Sequence, residues 1–212
     1  MTAFAPQPHE TLREARARYF EANQFGLDGR YDQKTVKITI GPLKIPIPNT
    51  KGRVRAVRFH DLHHVLTEYD TDLRGEAEIA AWEIASGCAD HYAAWVLNFG
   101  AMGIGAVLIP RRTWQAFVRG RHTKNLYRET FDDKLLDSTV AEMRAKLDLD
   151  KPLPEKTSAE DVGTFTAAMF AATMTATALG LLKTPIAGVL LLASAAYRLN
   201  EVKPEPVPAP VT

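Results

Sequence analysis

Three of the chain's six histidines fall within five positions, in the run Arg58-Phe-His-Asp-Leu-His-His64. Residues four apart share one face of a helix, so His60 and His64 project together. Asp61, one residue on from His60 and three before His64, sits at the edge of that face. Two imidazoles at helical spacing with a carboxylate beside them are a chelating arrangement, by the logic that lets two histidines four apart bind zinc in metalloproteases. A fourth ligand must come from another element. Glu76 is the natural candidate, near the start of the next helical pattern and across a short turn at 69–71 that makes the two helices antiparallel. His63 points to a different flank, where a donor behind the ligands, a substrate contact and no role at all stay open. The plain alternative for the whole group is a polar helix face without metal. His91 and His122 are isolated and read as structural or surface residues.

The elements that must position this group are helical. Val57 to Glu68 is one candidate helix and Thr71 to Ser86 the next, with Thr71 or Asp72 as N-cap and Gly87 as stop. Upstream, Glu10 to Gln24 is a short charged helix ended by Gly26. From Thr35 to Ile40 the apolar period is two, and Ile45 and Ile47 then alternate with Pro46 and Pro48, which predicts a small β-hairpin with a proline-bearing edge. Asn49 to Arg55 reads as a basic polar turn. Downstream, Asp90 to Ile109 is a long apolar helix ended by Pro110, Arg112 to Tyr127 is basic, and Leu135 to Leu147 is amphipathic. The apolar stretch at 93–109 suits a core helix or the path of an aliphatic chain. Arg111, Arg112, Arg119 and Arg121 suit anionic headgroups or a solvated face.

The composition is that of a globular chain, 46% hydrophobic and 24% charged, with a formal net charge of +1 that gives no electrostatic case for nucleic acid. A single cysteine, Cys88, excludes an internal disulfide and a Cys-rich zinc module. The first ten residues show no basic segment followed by an apolar one, so an intracellular location is expected. Gly163 to Leu182 and Ile186 to Tyr197 carry no charged residue. The first run has the ~20 residues that a bilayer requires, but it is rich in Ala and Thr rather than Leu. A membrane hairpin or dipping helix at the cytoplasmic face, and a hairpin buried on the domain, are both open. The expected fold is mainly α: an N-terminal helix and β-hairpin at 1–54, a helical metal-binding domain at 55–150 and a linker at 151–162. A C-terminal apolar helical hairpin at 163–200 and a proline-rich disordered tail at 201–212 complete it.

The pattern His60-Asp61-Leu-His-His64, followed by eleven residues and Glu76, resembles the metal signature of the coenzyme Q biosynthesis protein 4 family. The segments at 60–67 and 75–83 are similar to that family's histidine helix and Gly-Glu helix. Arg119-Gly-Arg121 and the segment 140–147 resemble its later basic element and closing helix, so the likeness covers roughly residues 55–150. The chain departs from the family where Glu68 stands in place of a usual glycine, and around Gly87-Cys88. The resemblance implies a divalent metal on His60, Asp61, His64 and Glu76, zinc by its mixed N/O donors, with iron or manganese also admitted. It implies a membrane-surface protein that handles an isoprenoid lipid or prenylated quinone precursor, works beside other quinone-biosynthesis proteins, and serves in oxidative decarboxylation of the prenylated ring. A non-catalytic lipid-binding or assembly protein with a structural metal is the second reading. A His-Asp hydrolase is the weakest, because only His9, His91 and His122 remain to complete its site.

Overall fold

A computed structural model describes residues 4–40, 43–154 and 156–178. Among these residues the chain forms eight helices and one two-stranded antiparallel sheet, so the mainly α fold with an early hairpin is as expected. Helix α1 spans Leu12–Ala22, strands β1 and β2 span Thr35–Ile40 and Leu43–Pro48, and helix α2 spans Lys51–Thr67. There follow α3 (Leu73–Ser86), α4 (Tyr92–Leu108), α5 (Pro110–Arg121), α6 (Asp133–Leu136), α7 (Val140–Lys146) and α8 (Ala159–Ala178). In the hairpin, Pro48 pairs with Thr35 and Pro46 with Lys37. A two-stranded ribbon is all edge, which tolerates residues that lack an N–H.

Helix α2 starts about two turns earlier than its apolar pattern suggests. Thr50 is its N-cap, accepting from the Arg53 N–H at 3.2 Å, so the basic stretch read as a turn is the first part of the helix. A capping hydroxyl supplies what the missing apolar residues do not, since it satisfies an orphan N–H. From Phe59 to Thr67 the helix is buried almost all round, and that brings polar side chains inside. Its C-terminal carbonyls are met by arginines: Arg144 Nη1 donates to Leu66 O at 2.6 Å and Arg119 Nη1 to Thr67 O at 3.1 Å. Glu68 closes the helix at φ 62° with its N–H on His64 O. That is a left-handed position, where glycine is the undemanding residue.

The predicted helix at 135–147 is two helices. Thr139 breaks it with a capping box, its hydroxyl accepting from the Glu142 N–H while Glu142 accepts from the Thr139 N–H. Such local side-chain bonds compete with a continuous helix. The core is built from Leu12, Phe20, Leu62, Leu66, Trp82, Met102, Phe117 and Leu126. Helix α3 packs on both α4 and α5, and α8 lies on α4 and α5 with Phe165 edge-on to Trp114 and Phe117. Among the described residues no helix is long and apolar enough to cross a membrane. Residues 179–212, which include the second apolar run and the tail, lie outside the described residues.

Candidate metal centre

Two consecutive helices, α2 and α3, and the turn between them build the site. Asp72 caps α3, accepting from the N–H groups of Arg74 and Gly75, which starts that helix in time to carry Glu76 on its first turn. His60 and His64 stand one turn apart on α2. Their Nε2 atoms approach to 3.1 Å, and each lies 3.5 Å from an oxygen of the Glu76 carboxylate. His60, His64 and Glu76 together could hold a metal ion.

The hydrogen bonds around the rings decide what those Nε2 atoms carry. His60 Nδ1 lies 2.9 Å from the Glu83 carboxylate and His64 Nδ1 lies 2.8 Å from the Tyr69 carbonyl oxygen. A carboxylate and a carbonyl only accept, so both Nδ1 atoms donate and both Nε2 lone pairs face the same point. Two imidazole nitrogens and a carboxylate converging on one point repel unless a proton or a metal cation sits among them. A carboxylate or carbonyl behind each ring is also how proteins fix the tautomer of metal-binding histidines.

Partial burial raises the Glu76 carboxyl, but the adjacent His64 and His60 outweigh it and bring it down to about 2. For His60, burial lowers the affinity for a proton, and Glu83 and Glu76 reverse this, so the ring titrates well above its usual range. The metal-free protein therefore holds a proton at the point where the lone pairs meet. Metal uptake near pH 7 is expected to release about one proton per ion, because ligands bind metal in their deprotonated form. Calorimetric titration in two buffers of different ionisation enthalpy reads this directly; heats that do not depend on the buffer would contradict it.

Asp61, also expected from the sequence as a ligand, is not one of the three residues brought together. It is buried and its Oδ2 accepts from the Tyr31 hydroxyl at 2.5 Å. Burial pushes its carboxyl up to about 6 against the pull of Tyr31 and the two histidines. Tyr19 of α1 stacks on the His64 ring and closes another side. His63 is fully buried away from the cluster. Its Nε2 accepts from the Leu126 N–H at 3.0 Å, so Nδ1 carries the proton and donates to Glu83 at 2.6 Å.

Glu83 is the residue that the spacing argument missed. It is fully buried on α3 and accepts from His60 and His63 through Oε1, and from the Tyr127 hydroxyl (2.8 Å) and the Asn98 amide through Oε2. Burial opposes its ionisation, and the two histidines more than compensate, holding the carboxyl well below its usual range. The signal was present: Glu83 lies two helical turns after Glu76, inside the apolar run Ile79-Ala-Ala-Trp-Glu-Ile84. A lone carboxylate in such a run is rarely buried without partners.

The four arginines singled out from the sequence do not form one free cationic face. Arg112 is bidentate to Glu78, Arg119 lies over the Tyr69 ring and caps α2, and Arg121 binds Glu160, while Arg111 is exposed. His91 is buried at the start of α4, and His122 lies 3.5 Å from Asp161. Comparison with protein families, with curated proteins and with solved structures found no match.

Proposed function

We propose that the chain is a metal-dependent protein of quinone biosynthesis that handles a prenylated ring precursor at a membrane surface, with zinc, before iron or manganese, on His60, His64 and Glu76 and with Asp61 as a further ligand. The observation that carries the metal is the convergence of the two Nε2 atoms, 3.1 Å apart, on the Glu76 carboxylate, 3.5 Å from each. The ring substrate rests on the likeness of 60–76 and its surroundings to the coenzyme Q biosynthesis protein 4 family. When bound, the ion supplies Lewis acidity for a substrate carboxylate or phenolate. Glu83 and the Tyr69 carbonyl hold the two rings in the ligating tautomer, Glu76 balances charge, and Tyr31 holds the Asp61 carboxyl in place. The Glu76 side chain is 42% exposed, which supports access to the site from outside.

Exchange of a ring carboxylate for hydroxyl releases CO2 and inserts one oxygen atom, so dioxygen and a reductant must be supplied from outside the chain. Incubation of the metal-loaded protein with a polyprenyl hydroxybenzoate, dioxygen and a reductant should give CO2 and the hydroxylated ring. Neither product, with the precursor recovered from the native protein by lipid extraction, would favour the second reading: a non-catalytic lipid-binding or assembly protein with a structural metal. One observation speaks for that reading. Glu83 ties α2, α3, α4 and Tyr127 together, so the centre is also a structural node. Neither product nor bound precursor would refute both.

A further inference from the structure

A concave site lies between the first half of α2, Tyr31 and the segment 129–131. Tyr31, Lys51, Arg55, Arg58, Phe59 and Phe131 line an open depression of about 510 Å³, room for a small molecule. Lys51, Arg55 and Arg58 follow at the spacing that aligns side chains along one helix face. Their commitments differ. Arg55 is bidentate to Asp90 at 2.9 and 3.0 Å, and the one acid on the cavity wall, Glu129, binds Lys146 at 2.8 Å. Arg58 lies over the rings of Tyr31 and Phe131, at 5.4 and 5.7 Å from their centroids. Among the described residues it has no carboxylate partner. Cation–π contact with two rings holds the guanidinium at the wall, and its N–H fork matches the oxygens of carboxylate and phosphate. Phe59 meets Phe131 edge-on at 5.3 Å and adds apolar wall.

We propose that this cavity binds a small organic oxyanion, a carboxylate or phosphate attached to a flat unsaturated body, with Arg58 and Lys51 on the anion and Tyr31, Phe59 and Phe131 against the body. The concave shape suits a small molecule rather than a flat headgroup layer. The proposal does not rest on the metal. Tyr31 nevertheless links the two places, because its ring lines the cavity while its hydroxyl donates to Asp61.

Phenyl phosphate and inorganic phosphate are the probes, titrated calorimetrically into the full chain as purified and again after chelation. Phenyl phosphate is expected to bind at least tenfold more tightly than inorganic phosphate, equally with and without chelation. Arg58→Met should weaken it at least tenfold and Arg58→Lys less, each still folded by circular dichroism, whereas Lys151→Met, outside the cavity lining, should leave it unaltered. No binding of phenyl phosphate, or equal binding by Arg58→Met, would overturn the proposal. Equal affinity for the two phosphates would remove the aromatic wall from it. Binding lost on chelation would place the anion on the metal and refute a separate pocket.

Discussion

Glu83→Ala is expected to cost about 3–5 kcal/mol of stability, the scale for removing one partner from a buried charged network. The reason lies in what remains. His60, His63, Tyr127 and Asn98 all donate to this one fully buried carboxylate, and Ala leaves four donors with no acceptor in a water-excluded space. Each orphaned donor carries a desolvation penalty of about 1–3 kcal/mol, reduced where the cavity admits water. Metal affinity should fall as well, by roughly 10–100-fold, because the His60 tautomer loses the group that orients it. Glu83→Gln separates shape from charge. Its carbonyl can accept from His60 or His63 but its amide must face a donor, so it should recover part of the loss. Denaturant unfolding and metal titration of both variants check this, and a Glu83→Ala protein as stable as the parent would contradict the network.

Gly120→Ala should also be costly. A Cβ at Gly120 would stand 2.3 Å from the Trp82 carbonyl oxygen and 2.8 Å from the Ala85 Cβ. The first of these is backbone and cannot rotate away. Ala in a helix gains about 1 kcal/mol over Gly, but forced overpacking costs about 3 kcal/mol at the upper end of its range. The expected net loss is therefore about 2 kcal/mol, read by thermal unfolding. Helix α5 would be pushed off α3, which bears Glu76 and Glu83, so metal affinity should drop with stability. An unchanged melting temperature would show that the two helices separate without penalty.

The sequence made much of this visible where the signal is local. His60 and His64 share a face because of helical periodicity, and Glu76 follows from the short turn and the Asp72 cap. The hairpin follows from alternation and its prolines. What was hidden depends on contacts between distant segments. Tyr31 reaches Asp61, and Asn98 and Tyr127 reach Glu83, over separations of 30, 15 and 44 residues that no window along the chain can see. The early start of α2 was hidden for a different reason: capping by Thr50 leaves no apolar period. The break at Thr139 likewise comes from side-chain bonds within an otherwise good amphipathic pattern. Arg111, Arg112, Arg119 and Arg121 read as one cationic group because the partners of three of them, Glu78 on α3, Tyr69 in the turn after α2 and Glu160 on α8, lie far along the chain.

The Nε2 atoms of His60 and His64 and the carboxylate of Glu76 are proposed to hold a metal ion. Elemental analysis of the natively purified protein, beside Glu76→Ala, His64→Ala and His63→Ala, tests it most directly. About one transition-metal ion per chain is expected, lost from the Glu76 and His64 variants and retained, more weakly held, by His63→Ala. No metal in the native protein, or equal loss from the His63 and His64 variants, would contradict it.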